Sequence, residues 1–150
     1  SFTRIYSGHW LYSGNLLPIG SCIRNPIDVA RQFIGVPYVW GGRTSLGLDC
    51  SSLVQISLAM ANIPAPRDSD LQEASLGTQV RMDSPQDFSR IQEGDLVFFP
   101  GHVGIYISHC QFLHANAFDM QVSLHGFSSV LERANTNNAC ATSIRRLESI

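Results

Sequence analysis

The spacing of apolar residues changes at Gly94, and this change constrains the fold more than any other feature of the sequence. Before Gly94, apolar residues recur three and four positions apart, which is typical of amphipathic helices. After it, residues 96–99, 102–108 and 112–116 are predicted as strands, and in the second of them Val103, Ile105 and Ile107 alternate with His102, Gly104 and Tyr106. Helices followed by a meander of strands predict an α+β domain with an antiparallel sheet.

Turn and capping residues divide the first half of the chain into three helices. Asn25 followed by Pro26 predicts a helix N-cap and a first helical residue, with Gly35 ending that helix. A second helix begins after Asp49, its apolar face marked by Leu53, Ile56 and Met60. In the third, Ser69 with Gln72 three positions later matches a capping box. Beyond the meander, residues 123–134 predict another helix and residues 142–148 a last strand.

Length and charge limit the classes of protein to which the chain can belong. It has 150 residues, 44% of them hydrophobic, which predicts one globular domain with an ordinary core. The net charge of -2 gives no basic surface for nucleic acid. No apolar run approaches the roughly 20 residues that a membrane-spanning helix needs. We therefore expect neither a nucleic-acid partner nor a membrane span.

Residues 1–24 differ from the rest, being aromatic, punctuated by Gly and Ser, and without helical period. Residues 5–20 alternate enough to predict two short strands, but this stretch is too short to form a sheet alone. This leader is either an arm packed on the 25–150 domain or the tail of a preceding domain. The pattern does not choose between the two.

The four cysteines, Cys22, Cys50, Cys110 and Cys140, are widely spaced and form no C-x-x-C pair. A 150-residue chain with a real core does not require disulfides. Metal ligands usually occur as close sequence pairs, and the adjacent His109 and Cys110 point to opposite faces of a strand. We expect no metal and no cofactor.

Cys50 has two interpretations. Free cysteines are most often buried, inert members of a core. If Asp49 is the N-cap, however, Cys50 is the first residue of the helix, where unpaired N–H groups and the helix dipole favour the thiolate. The same N–H groups can stabilise a developing oxyanion. This position predicts an activated thiol, provided that a base lies nearby.

His102 is the strongest candidate for that base, because it begins a strand after Pro100 and Gly101. A surface residue is the alternative. A working imidazole also needs a partner on its other nitrogen, and His114 lies on the next strand. A three-residue connection at 109–111 pairs Tyr106 with His114, which places His114 on the face of His102. A two-residue turn would place it on the opposite face.

Three segments together resemble the NlpC-type cysteine peptidases, which cleave peptides of the bacterial cell wall: DCSSLVQ, GDLVFFPGHVGIY and FLHANAF. The resemblance covers residues 25–150 and implies a papain-like core, with the cysteine helix packed on an antiparallel sheet. It implies Cys50 as nucleophile, His102 as general base and His114 as the residue that orients His102. Tyr38 matches a tyrosine near the nucleophile that stabilises the oxyanion.

PRDSDLQE together with HANAF is similar to one subgroup, which cleaves between γ-D-glutamate and diaminopimelate or lysine in released wall peptides. In that subgroup, residues matching Asp49, Ser51 and Ser69 hold the ammonium group of an N-terminal L-alanine. Capping is the structural alternative for Asp49 and Ser69. Ser52 departs from the family, which usually has glycine there, and its side chain is expected to add bulk beside the nucleophile.

The leader segment SGHWLYSGNLL resembles the last strands of the bacterial SH3-like module that precedes the catalytic domain in that subgroup. The resemblance thus implies a missing N-terminal module and a peptidoglycan-derived peptide as substrate. The alternatives are a wall-peptide binding module without catalysis, or an N-acetylmuramoyl amidase or acyltransferase that uses the same Cys–His pair. Free cysteines and no visible signal peptide favour a cytoplasmic location, with a periplasmic or secreted one as the alternative.

Overall fold

The computed structural model describes residues 1–16, 18, 20, 21 and 25–148. The leader contains a two-stranded antiparallel hairpin, β1 (Phe2–Arg4) with β2 (Trp10–Tyr12), followed by a 3-10 turn at Ser13–Asn15. The two short strands predicted within residues 5–20 are thus confirmed only for β2, because β1 lies before that stretch. Cys22 lies outside the described residues.

Four helices follow in the order α1 (Pro26–Gln32), α2 (Cys50–Met60), α3 (Ser69–Ser75) and α4 (Phe127–Thr136). The Asn25 side chain accepts a hydrogen bond of 2.9 Å from the Ile27 N–H, which confirms the predicted cap. No helix of the described residues combines the length and the apolar character that a bilayer crossing requires.

The remaining strands form a small hairpin and one large sheet. The hairpin joins β3 (Arg43–Thr44) and β4 (Gly47–Leu48) within a segment predicted as loop. The large sheet is antiparallel, with the order β5-β10-β6-β7-β8-β9. Its strands are β5 (Thr78–Val80), β6 (Leu96–Phe99), β7 (His102–Ile107), β8 (Gln111–Asn116), β9 (Gln121–Gly126) and β10 (Ser143–Arg146). The predicted α+β architecture is confirmed.

Both faces of the large sheet are covered. Val103, Ile105 and Ile107 pack with α2 in one core cluster. Val97 and Phe112 face the other way and pack with Phe127 and Val130 of α4 in a second cluster. Because the side chains of a strand alternate between faces, the residues between Val103, Ile105 and Ile107 point toward the α4 side. His102 belongs to that second set.

Two sequence predictions about these elements are wrong in detail. The helix predicted over 123–134 begins only at Phe127, because residues 121–126 pair with β8 as β9. The apolar face of α2 is also displaced: Met60 is exposed, and the buried stripe is Cys50, Leu53, Val54, Ser57 and Leu58. These positions follow the helical spacing of 3 and 4 from Cys50 onward. Cys50 is thus the first residue of the buried face.

The β7–β8 turn decides the placement of His114. The connection has three residues, as predicted, but they are 108–110, so Tyr106 pairs with Phe112 and not with His114. His109 and Cys110 both adopt left-handed backbone angles, φ 61° and 56°, which reverse the chain one residue earlier than predicted. Gly104 therefore lies opposite His114. Since Gly104 and His102 share a face, the prediction that His114 lies on the face of His102 is confirmed.

Candidate active site

The start of α2 is held by a reciprocal capping box between Asp49 and Ser52. The Asp49 carboxylate accepts from the Ser52 N–H at 2.9 Å, and the Ser52 hydroxyl oxygen accepts from the Asp49 N–H at 2.9 Å. Such a box satisfies donors that a helix start otherwise leaves unpaired. Asp49 is the N-cap, as predicted, and Cys50 is the first helical residue.

Ser52 is completely buried, and its hydroxyl is turned back toward the Asp49 backbone. It is not among the residues that line the cavity at Cys50. The expectation that Ser52 adds bulk beside the nucleophile is therefore wrong. Its hydroxyl instead completes the capping box.

Cys50 is only 7% exposed and belongs to the core cluster around α2. Burial raises the pKa of its thiol, and Asp49 adds to that rise. Backbone N–H groups of Val103, Ser51 and Cys50 itself act in the opposite direction and are outweighed. The lowered thiol pKa expected from the helix start is thus contradicted, because desolvation exceeds the effect of the helix N-terminus.

Asp49 also forms a partly buried ion pair with an arginine that lies 18 residues away in the sequence. Arg67 approaches its carboxylate with both terminal nitrogens, at 2.9 and 2.6 Å, and also donates to the Ser51 hydroxyl at 2.8 Å. The Gly41 N–H adds a hydrogen bond of 2.8 Å. Burial alone would raise the pKa of Asp49, but the hydrogen bonds from Arg67, Ser52 and Gly41 outweigh it and lower the pKa.

A cavity of about 350 Å³ opens at the start of α2. It brings together five of the predicted site residues, Tyr38, Asp49, Cys50, Ser51 and Ser69. Its other walls come from residues that were not predicted, namely Trp40, Gly41, Arg67, Asp68 and Gly101. Burial raises the pKa of the Tyr38 phenol, with further contributions from Cys50 and Asp49, so the phenol stays protonated as a hydrogen-bond donor.

Ser69 lies on the cavity wall, but it does not cap α3. The N-cap is Asp68, whose side chain makes no capping hydrogen bond, and Ser69 is the first helical residue. The predicted partner Gln72 is buried and donates instead to the carbonyls of Ser51 and Pro66, at 2.9 and 2.8 Å. The capping-box prediction for Ser69 is therefore wrong, since its supposed partner is used to join α3 to α2.

The two predicted histidines meet on the α4 side of the sheet. His102 Nε2 lies 2.8 Å from His114 Nδ1. Burial lowers the pKa of His102 to about 4. Burial also lowers the pKa of His114, to about 2, together with the nearby charges of His102, His125 and Arg133. Both rings are therefore neutral at pH 7.

His102 and His114 line a second cavity, of about 230 Å³, rather than the cavity at Cys50. Residues of the β6–β7 turn line both cavities. Gly101 lines the first cavity, and Pro100 and His102 line the second. Val103, one residue after His102, packs in the same core cluster as Cys50, and its N–H acts to lower the pKa of the Cys50 thiol. The start of β7 thus connects the cysteine on one side of the sheet with the histidines on the other.

Gly104 makes the close packing of the histidine pair possible. A Cβ atom at this position would overlap the Phe112 ring and the Cβ atom of His114. Only glycine leaves room for both side chains opposite it. The second glycine of GHVG is the sequence signal for this contact.

Candidate metal ligands do not converge: within the described part of the chain, no three His, Cys, Asp or Glu side chains are arranged to hold a metal ion. The chemistry that the site offers is that of a thiol, imidazoles, a phenol and helix-start N–H groups.

A helix-start cysteine packed on an antiparallel sheet, with a histidine pair on neighbouring strands, defines a papain-like α+β domain. The NlpC/P60 family model matches residues 35–140, and the chain belongs to this family.

Curated relatives carry peptidase names. The chain is 33% identical over 101 residues to "Dipeptidyl-peptidase 6" of Lysinibacillus sphaericus, covering 67% of the chain and 35% of the relative. It is 37% identical over 97 residues to "Probable endopeptidase NlpC" of Escherichia coli, covering 59% of the chain and 58% of the relative. It is 30% identical over 106 residues to "Gamma-D-glutamyl-L-lysine dipeptidyl-peptidase" of Bacillus cereus, covering 65% and 30%. The chain thus spans between about a third and three fifths of these relatives.

Solved structures share the fold. The peptidoglycan hydrolase RipB of Mycobacterium tuberculosis superposes with a TM-score of 0.66 at 26% identity, covering 84% of this chain and 64% of that one. An NlpC/P60 family protein of Bacillus cereus superposes with a TM-score of 0.64 at 26% identity, covering 93% and 44%.

Proposed function

We propose that the chain is a cysteine peptidase that hydrolyses peptides derived from peptidoglycan, with Cys50 as nucleophile and His102 as general base. The observation that carries the proposal is the placement of Cys50 at the start of α2, on the wall of a cavity that is also lined by Gly101, the residue before His102. The family and the peptidase names of the relatives support the same reaction class.

The directions of the pKa shifts favour a neutral resting pair over a preformed ion pair. Burial raises the pKa of Cys50 and lowers that of His102. His102 therefore takes the thiol proton as the sulfur attacks the substrate carbonyl. His102 then gives that proton to the leaving amine, which departs and leaves a thioester. Water, deprotonated by His102, attacks the thioester, and the proton returns to the thiolate.

The developing oxyanion needs hydrogen-bond donors. The Cys50 N–H lies at the helix start, where the first N–H groups have no intrahelical partner. The Tyr38 phenol lines the same cavity and is protonated. We propose these two groups as the oxyanion donors.

For the substrate, we propose the γ-D-glutamyl–diaminopimelate or γ-D-glutamyl–lysine bond in peptides with a free N-terminal L-alanine. The Bacillus cereus relative bears the name of the lysine-directed activity. Ser51 and Ser69 supply hydroxyls on the cavity wall. Asp49 already accepts bonds from four groups, whereas the Asp68 carboxylate on the same wall makes no hydrogen bond to the described residues. Asp68 is therefore the carboxylate available to an ammonium group.

The test uses L-Ala-γ-D-Glu-meso-diaminopimelate and its N-acetylated form, with products separated by chromatography. The chain is expected to cleave the free-amine peptide and to lose all turnover in Cys50→Ala. Cys110→Ala is the matched control, since Cys110 is an exposed cysteine in the β7–β8 turn and should leave the rate unchanged. If neither peptide yields product, the peptidase assignment is contradicted.

The acetylated peptide tests the ammonium contact separately. Wild type is expected to prefer the free-amine peptide, and Asp68→Asn should reduce that preference while leaving cleavage of the acetylated peptide unchanged. Equal cleavage of both peptides by wild type would contradict recognition of the ammonium group.

A further inference from the structure

Three histidine rings form a row on the α4 side of the sheet, one more than the sequence predicted. His102 Nε2 lies 2.8 Å from His114 Nδ1, and His114 Nε2 lies 3.0 Å from His125 Nδ1. The rings come from three adjacent strands, β7, β8 and β9. Each contact joins one nitrogen that carries a proton to one that does not, so the proton positions of the three rings depend on one another.

Two charged groups fix the far end of the row. Arg133 of α4 places Nη2 3.1 Å from His125 Nδ1. The Asp119 carboxylate, in the β8–β9 turn, lies 2.7 Å from His125 Nε2. A guanidinium can only donate and an ionised carboxylate can only accept. His125 must therefore have a bare Nδ1 and a protonated Nε2.

This assignment propagates along the row to His102. The bare Nδ1 of His125 can accept only, so His114 Nε2 must carry its proton, and the single lone pair is shared by Arg133 and His114 in a three-centre bond. His114 is neutral, which leaves its Nδ1 bare as an acceptor. His102 then donates from Nε2, and its own Nδ1 is left bare. A bare ring nitrogen is what a general base requires.

We propose that Arg133, acting through His125 and with Asp119 as counter-charge, is a positioning residue that holds His102 in the tautomer with a bare Nδ1. This inference rests on the proposed function, in which His102 accepts the Cys50 proton. The charged groups that face the row are Arg133 from α4 and Asp119 from the β8–β9 turn. Arg133 is itself held 4.3 Å above the Phe118 ring.

The direct test is the proton position on each ring, measured by long-range ¹⁵N–¹H NMR on protein labelled at its histidines. In wild type, all three rings are expected to show a protonated Nε2 and a bare Nδ1 at pH 7. Arg133→Met keeps the length of the side chain and removes the guanidinium that excludes a proton from His125 Nδ1. With Asp119 still accepting from Nε2, a proton on Nδ1 makes His125 a donor to His114 and reverses the row, so both tautomers are expected. Arg133→Lys retains a donor and should restore most of the wild-type pattern. Unchanged tautomers in Arg133→Met would overturn the inference.

Kinetics supply the second readout. Because only one tautomer of His102 can act as base, Arg133→Met is expected to lower kcat about tenfold with KM unchanged, well short of the roughly 10⁴-fold loss seen when a triad tautomer is fully wrong. Arg133→Lys should recover most of the loss. Arg31→Met, at an exposed position of α1, is the matched control. A change in KM with kcat unchanged contradicts a positioning role. So does an equal loss of kcat in both Arg133 variants.

These readouts separate the two proposals. If wild type cleaves no peptide while the tautomers respond to Arg133 as expected, the peptidase assignment fails and the positioning row stands. If wild type is active and the tautomers ignore Arg133, only the positioning role fails. Arg133 is half-buried on the outer helix, and circular dichroism of each variant verifies that the fold is retained.

Discussion

Cys50 is both a core residue and the first residue of a helix, so the two interpretations of the sequence are not exclusive. It begins the buried stripe of α2 and at the same time lines the cavity at the helix start. The cost of this position is a raised thiol pKa. A buried cysteine at a helix start is therefore not activated by the helix alone, and the proposed role of Cys50 as nucleophile requires a base, for which we propose His102.

Ser52 provides the prediction at the scale of one residue. Ser52→Ala removes the hydroxyl that accepts from the Asp49 N–H, and loss of a helix-start cap costs about 1 kcal/mol. We expect a decrease of that size in the free energy of unfolding, measured by urea denaturation, with peptidase activity retained. Ser128→Ala, at an exposed position of α4, should change the free energy by less than about 0.5 kcal/mol. Loss of activity without loss of stability would contradict the capping role.

Site residues with a local signal could be predicted, and those defined by distant contacts could not. Asp49 and Cys50 were found because capping acts within one helical turn, and His102 because it begins a strand after Pro-Gly. Arg67 lies 18 residues from Asp49, and His125 lies 11 residues from His114. No spacing rule links such pairs. The subgroup motif PRDSDLQE contained Arg67, but the motif gave it no role.

At the scale of elements, the start of α2 is tied to the segment that leads into α3. Arg67 binds Asp49, and Gln72 of α3 donates to the carbonyls of Ser51 and Pro66. Gln55, one turn into α2, donates to the Ala65 carbonyl at 2.9 Å. These contacts form one wall of the cavity, so the geometry at Cys50 depends on how α3 is anchored.

Arg67→Met tests this anchoring. The variant leaves the 5%-exposed Asp49 with a buried charge and without its bidentate partner, and losing hydrogen bonds to a charged group costs about 1.5–3 kcal/mol. We expect a fall of about 2 kcal/mol in the free energy of unfolding at pH 7. The pKa of Asp49 is lowered in the fold from its ordinary value of 3.8. The ionised Asp49 therefore stabilises the fold above pH 3.8, and this stabilisation is lost as the pH falls below that value.

The pH dependence distinguishes the ion pair from simple packing. The difference in stability between wild type and Arg67→Met should shrink as the urea titrations are moved from pH 7 to below pH 4. Arg81→Met is a suitable control, because the Arg81–Asp83 pair is exposed and such pairs contribute little. A difference that stays constant with pH would mean that Arg67 acts through packing alone.

The sequence predicted which elements exist better than where they begin. Period and caps located α1, α2 and the strands β6, β7 and β8, because each carries a strong local pattern. The predicted start of α4 was wrong, because residues 121–126 pair with β8 as a strand. The turn at 108–110 was displaced because two non-glycine residues occupy left-handed conformations, which local propensity disfavours.

At the scale of the whole molecule, the domain places neutral histidines on the face of the sheet that α4 covers. His114 is 4% exposed, and it lines a cavity together with residues of α4.

The leader hairpin β1–β2 leaves Phe2, Trp10 and Tyr12 exposed. That it belongs to an SH3-like module stays a prediction, as does the cytoplasmic location.

Buried neutral histidines make the stability of the domain sensitive to acid. In the unfolded chain, His114 takes up a proton near pH 6.5, whereas in the fold its pKa is lowered to about 2, and that of His102 to about 4. The two neutral histidines therefore make their full contribution to the free energy of unfolding above pH 6.5. That contribution is lost as the pH falls from 6.5 toward 4 and below. Each histidine can add at most about 1.4 kcal/mol per pH unit to the slope.

We expect the free energy of unfolding, measured by urea denaturation between pH 7 and pH 4.5, to decrease steeply below pH 6.5. His114→Phe lowers stability at pH 7, because His102 loses its partner, but its slope with pH should be flatter than that of wild type. His109→Gln, in the exposed β7–β8 turn, should keep the wild-type slope. Equal slopes in wild type and His114→Phe would show that His114 is not held neutral in the fold, because a histidine that titrates alike in both states adds nothing to the slope.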